Sequence, residues 1–444
     1  MRDISNYSYG VTDISSVFKW IYCKLGRLVI VLCLYGVVPQ AQAQARMDSV
    51  PLTLRELLDS ADRLYPALRA ARVESQASTE DVDAVRRQRW PVASMTTETN
   101  TGNLRVYPNK VVQMQQTLWD FGLVSSRIAE AEAASDVSFL DVSIQRQELF
   151  LQITSAWQAF HASRARRWFA TGTLVRLEFY KEQMMRRVQA EASPRIDLEL
   201  VDARLLQTQV EHVAAIAAER LALTRLENLT GVGALRDRAE QVDSMPSLSE
   251  THQFTSVVKA ADLYDVSVKS LRVAKARAKV KQAEQRFESK KAEALPQIYA
   301  RVYKPLNVTP FSGDTSTTTF VGLSYSTGAG FSTMAEAKAL GTRISAAQLS
   351  VESERLEELQ TLQSDQEEYI NSRLRVDALE KAVMGSELVL ASYKRQFEAG
   401  KKTWLDLLNA VREVAQNEYS LADARASMLG SMSRLQLRMG VQLE

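Results

Sequence analysis

Apolar positions along this chain follow two different periods. Leu421, Ala424, Met428, Met432, Leu435 and Met439 step by three or four, which puts them on one face of a helix. Leu206, Val210, Val213, Ala217 and Leu221 do the same, and both stripes read as helix-packing seams. No proline lies between Pro108 and Pro194, and Gly172 is the one glycine from Leu123 to Gln189. That stretch predicts a single helix on the order of 100 Å long. Phe331–Ala399, again free of proline, predicts a second. Shorter helices are expected after each, at Arg195–Leu229 and Trp404–Met439, and before each, at about Leu54–Trp90 and about Ser267–Leu295. Laid end to end, the two short helices of the first half match the long one in length, which predicts a long antiparallel bundle rather than a globule.

Between the short and long helices the period drops to two. Pro91–Thr101 and Lys110–Trp119, then Gln297–Leu306 and Ser316–Ser326, are rich in Val, Thr and polar residues. Val112, Met114 and Leu118 alternate with Gln113, Gln115 and Thr117, while Val321, Leu323 and Tyr325 alternate with Phe320, Gly322 and Ser324. These are strands of about ten residues, long enough to cross a membrane at a tilt. The connections Tyr107-Pro108-Asn109 and Asn307–Thr315 read as exposed turns. The same pattern also suits a soluble two-sheet cap. Four strands cannot close a barrel, and an open sheet edge is not tolerated in lipid, so membrane strands would have to be pooled by several chains.

The chain is written twice. The break Arg187–Leu198 corresponds to Gln396–Leu407, Asp197 to Asp406, and Gly231 to Gly440, all at a separation of 209 residues. Gly400 suits the left-handed residue after a helix end. Thr403 with Asp406 forms an acidic variant of the capping box. Ser193 reads as an N-cap with Pro194 at the first helical position. The expected organisation is a signal peptide (1–43), a first repeat (44–231, hairpin 91–119, tip 190–196), a polar linker with Pro246 (232–252), and a second repeat (253–444, hairpin 296–326, tip 399–405).

The signal assignment rests on Lys19, Lys24 and Arg27 before the apolar run Leu28–Val38, with Ala41-Gln42-Ala43 as the cleavage site and Gln44 as the expected mature start. Cys23 and Cys33, the two cysteines of the sequence, both fall inside it, so the exported part has no disulfide. Removal of residues 1–43 takes four of 55 basic and two of 53 acidic residues, leaving a formal balance of zero. This argues against a nucleic-acid role, which calls for a basic face. His161, His212 and His252 are far apart, and no metal, phosphate-loop or nucleophile motif accompanies them. His161 and His212 read as solvated positions on charged helix. No enzyme, cofactor or metal is expected.

Three motifs, in this order and within a duplicated frame, resemble the TolC family of outer-membrane export channels. They are Tyr65-Pro66-Ala67-Leu68 opening the first helix, Leu118-Trp119-Asp120-Phe121-Gly122 after the first hairpin, and Phe397-Glu398-Ala399-Gly400 with Asp406-Leu407-Leu408-Asn409-Ala410 at the second break. The resemblance implies a homotrimer in the cell outer membrane, mainly α. Four strands per chain would complete a twelve-stranded β-barrel, and the helices would form a periplasmic tunnel. It also implies a periplasmic adaptor and an inner-membrane transporter as partners, in type I secretion or efflux of small toxic compounds. The tips would then close the pore. Asp406 and Asn409 stand where the family carries two inward carboxylates. Phe397 and Lys402 stand where it carries a latch, facing Ile196 and Asp197; Phe397 lacks the family's hydroxyl. Asp197 and Asp406 suit equally well a plain role as acids in a helix's first turn. A different class of reading is a periplasmic coiled-coil adaptor or scaffold without a barrel; such proteins usually carry one helical hairpin and a sizeable β-rich remainder.

Overall fold

A computed structural model describes residues 53–99, 108–233, 235, 238, 254, 262–306, 315–326, 328 and 332–440. The signal segment, the mature start at Gln44, most of the linker, Tyr107 and nearly all of the Asn307–Thr315 turn lie outside them. In chain order the elements are α1 (Leu54–Leu64), α2 (Pro66–Arg86), β1 (Val92–Thr99), β2 (Pro108–Trp119), α3 (Leu123–Gln189) and α4 (Arg195–Thr230). The second series is α5 (Leu263–Val268), α6 (Leu271–Glu293), β3 (Gln297–Pro305), β4 (Thr318–Ser324), α7 (Ser332–Glu398) and α8 (Trp404–Met439). Helices α3 and α7 have 67 residues each, α4 and α8 have 36 each. None of the described helices is long and apolar enough to cross a membrane.

The first short helix is broken where one was expected. Tyr65 sits at φ −64°, ψ 120°, the extended conformation imposed on a residue before proline, and α2 restarts with Pro66. In the second repeat α6 starts at Leu271 under a Ser270 cap rather than at Ser267. Other features recur at the repeat spacing. Gly231 and Gly440 end α4 and α8 at φ 69°. Ile153 and Leu362, Phe160 and Tyr369, and Leu226 and Leu435 are pairs at the repeat spacing, and each member is fully buried.

The helices form one layer. Helix α3 packs against α2 and α4 on one side and against α6 and α8 on the other; α7 packs outside α6 and α8. The layer therefore has two free flanks, α2/α4 of the first repeat and α7 of the second. The two seams predicted alike behave differently. Leu421, Ala424, Met428 and Leu435 of α8 are buried against α7. Leu206, Val210, Val213 and Leu221 of α4 are 61–73% exposed, because none of the described residues packs beyond that flank.

His161 corrects the expectation of a solvated histidine. It is buried on α3 edge-on to Trp157 at 4.6 Å and beside Phe160, with Nε2 lacking a hydrogen-bond partner. Burial, reinforced by the Arg164 charge, lowers its pKa to about 4. The neutral form is therefore the folded one. The unfolded chain takes up a proton near pH 6.5, so this site's stability is complete above that value and declines as pH falls towards 4. His161→Leu is expected to reduce the drop in melting temperature between pH 7 and pH 4.5; an undiminished drop would assign acid sensitivity elsewhere.

The four strands form one antiparallel sheet in the order β1-β2-β3-β4, with β1 and β4 at its open edges. Directly paired residues share a face. One face is mostly apolar, with Ala93 and Met95, Val112 and Met114, Ile298, Ala300 and Val302, and Val321 and Leu323; Gln116 opposite Ala300 and Thr319 opposite Val302 interrupt it. The other is mostly polar, with Ser94 and Thr96, Gln113 and Gln115, Tyr299, Arg301 and Tyr303, Thr318 and Gly322, and it also holds Val92, Val111 and Phe320. A register shift between Thr117 and Trp119 turns Trp119 onto the apolar face opposite Ile298. Lys110 and Lys304 bound that face at the hairpin ends. From Lys110 to Trp119 the strand rises about 30 Å, or about 23 Å at a usual barrel tilt of about 40°. A largely apolar band of that height, bounded by lysines and an aromatic, suits the lipid-facing surface of a barrel.

Candidate gate at the helix tips

The two breaks lie together at the end of α3, α4, α7 and α8. Their backbones follow one plan. At the second tip Gly400 takes φ 70°, and Lys401 N–H donates to the Gln396 carbonyl at 2.8 Å. At the first, Glu191 takes φ 54°, and Ala192 N–H donates to the Arg187 carbonyl at 2.8 Å. Each closes its helix with a left-handed residue and a six-to-one hydrogen bond. Glu191 does so without glycine, a conformation unfavourable for residues with a Cβ.

The starts of the return helices differ. Thr403 caps α8: Asp406 N–H donates to Thr403 Oγ1 at 3.2 Å, and Thr403 N–H donates to Asp406 Oδ2 at 3.1 Å. The Thr403 hydroxyl adds a bond to the same oxygen at 2.8 Å. At the first tip Pro194 is the N-cap, with α4 beginning at Arg195 and no side-chain cap bond. Ser193 is therefore not the cap, and Pro194 precedes the first helical position instead of filling it. Proline has neither the N–H nor the hydroxyl that Thr403 offers, so Asp197 has no reciprocal cap partner.

The carboxyl of Asp406 is held below the usual carboxylate range by the Thr403 hydroxyl first, then by the Thr403 N–H and the Lys402 charge. Lys402 Nζ lies 4.0 Å from Asp406 Oδ2 and 4.4 Å from the centre of the Tyr393 ring. Within one chain it makes no ion pair with Asp197. Ile196 is 69% exposed, and Phe397 packs instead on Trp404, ring centres 5.2 Å apart, under the Arg187 guanidinium at 4.7 Å. Asn409 lies half-buried one turn beyond Asp406.

Sequence reasoning passed over Trp404, which holds the two tips together. Its indole is 4% exposed, edge-on to Tyr180 at 5.9 Å, and its Nε1–H donates to the Asp197 carbonyl at 3.0 Å. Leu177, Met184, Val201, Leu407 and Leu408 complete the cluster. An indole at the first position of a helix, where the other repeat has Arg195, was the available signal. The tip thus offers carboxylates and a lysine on a well-packed base, a set suited to electrostatic gating. Among the described residues no cluster could hold a metal ion.

Comparison with known proteins gives concordant results. No curated protein matches the sequence significantly. The family model described as outer membrane efflux protein matches residues 57–232. Among solved structures, the outer-membrane channel OprN aligns with a TM-score of 0.74 at 17% identity, covering 88% of this chain and 90% of that one. The outer membrane protein VceC of Vibrio cholerae aligns at 0.70 with 15% identity, covering 87% and 96%. The open-state MtrE outer membrane channel of Neisseria gonorrhoeae aligns at 0.70 with 17% identity, covering 87% and 88%. Residues 57–232 thus match the outer membrane efflux protein model, and the chain shares the fold of these outer-membrane channels.

Proposed function

We propose that the chain is the outer-membrane exit duct of a tripartite export system. Three copies pool their strands into a twelve-stranded barrel and their helices into a periplasmic tunnel. The duct passively conducts small toxic compounds or a secreted protein delivered by an inner-membrane transporter and a periplasmic adaptor. One observation carries this reading: sheet and helical layer are open along the same two flanks. The first repeat supplies β1 and α2/α4 on one side, and the second supplies β4 and α7 on the other. A sheet with a lipid-facing band and two open edges is stable in a bilayer only when those edges are paired. Cyclic repetition pairs β1 with a neighbour's β4, antiparallel as in the rest of the sheet, and covers the exposed α4 seam in the same step.

The tip forms the gate. Lys402 of one hairpin faces Asp197 of another across the closed end, and Asp406 lends negative charge to the constriction. A solvent-accessible pair is worth about 0–1 kcal/mol, and three copies suffice to bias a gate. Lys402→Ala and Asp197→Ala are expected to raise single-channel conductance in planar bilayers, with high salt partly reproducing either change. Asp406→Asn is expected to lower cation preference and weaken block by multivalent cations without opening the tip. If all three variants conduct and select as wild type does, these residues serve only as helix starts.

A further inference from the structure

The polar face of the sheet carries a cluster that the gate does not use. Gly322 lies opposite Tyr299, whose ring atoms come within 2.7 Å of where a Cβ on residue 322 would stand. The missing side chain lets the Tyr299 ring lie across the strand. The Arg301 guanidinium sits 5.0 Å from the centre of that ring. Its Nε and one Nη both donate to Gln115 Oε1, at 3.1 and 2.7 Å. Phe320 is the β4 partner of Arg301, and Tyr303 follows two residues along on the same face. No acid touches the guanidinium among the described residues, and the acid that shares this face, Glu98, stands at the hairpin end of β1. Arg301 is thus a cation fixed by an amide and an aromatic ring, with no acid against it among the described residues.

We propose that Arg301 and its two symmetry copies form an anion-attracting ring inside the barrel that favours organic anions, aromatic carboxylates above all, as cargo. The inference rests on the channel reading, because only there does the polar face line a water-filled lumen. With its Nε–Nη edge held by Gln115, the guanidinium presents its end-on Nη pair to a carboxylate, while Tyr303 and Phe320 beside it supply apolar surface for an aromatic body. The ring acts at the opposite end of the duct from the acidic tip, so the two filters are separable by mutation.

The test is the reversal potential of the full-length trimer in planar bilayers, first under a potassium chloride gradient and then with potassium benzoate replacing chloride on one side. Arg301→Gln is expected to lower the chloride-to-potassium permeability ratio about threefold, and the benzoate-to-chloride ratio with it. Arg301→Lys, which keeps the charge and loses the planar fork, is expected to preserve the first ratio and lower the second. Wild-type ratios in Arg301→Gln channels of normal conductance would overturn the proposal. Absence of any channel from the wild-type protein would instead overturn the exit-duct reading, and this inference with it.

Discussion

Replacing Val210 and Val213 by aspartate is expected to abolish trimer assembly while leaving the individual chain folded. Both side chains are more than 60% exposed in the single chain, so the substitutions cost its own packing little. Against the neighbouring α7, where Leu374, Met384 and Leu388 are also exposed, each would bury an unpaired carboxylate. Such burial costs several kcal/mol per site, and three interfaces multiply it. Semi-native gels of detergent-extracted protein should show the trimer band reduced at least about tenfold, with helical content unchanged. A full trimer band would mean that the α4 seam faces something other than a second copy.

The second large effect is at Trp404. Truncation of a buried tryptophan to alanine costs about 3–5 kcal/mol, here concentrated on the tip because the indole joins α3, the Asp197 carbonyl and Phe397 in one contact. Tip opening should therefore become about a hundredfold to a few thousandfold more frequent. Lys401 and Lys402 lie in the turn itself, so trypsin cleavage after them reports the opening directly. The variant should be cut far faster there than wild type, at unchanged cleavage elsewhere. Equal cleavage rates would show that the tip is held by other contacts.

These residues also mark how far the sequence could be read. The long helix α3 was legible to the residue, because absence of proline and a single interior glycine leave nothing to stop it. The cap at Thr403 and the left-handed Gly400 were legible because both are local: their partners lie within a few residues. The break at Tyr65 was missed although its cause is equally local. Pro66 suits a helix start, but it also forbids the preceding residue from closing one continuous helix. The burial of His161 was not legible, since the rings around it say little until α1, α2 and α4 are known to pack there. The α4 and α8 seams have the same spacing and opposite fates, and that difference depends on layer order alone. The geometry at Arg301 needed the register of three strands, in particular the pairing of Tyr299 with Gly322.

Trimer formation is read most directly from the particle mass of the wild-type protein extracted from the outer membrane in detergent, by light scattering corrected for bound detergent. Three chains per particle are expected, because only repetition closes the flanks of β1 with α4 and of β4 with α7 in one operation. A monodisperse particle of one chain would contradict it, since the sheet edges would then face lipid unpaired.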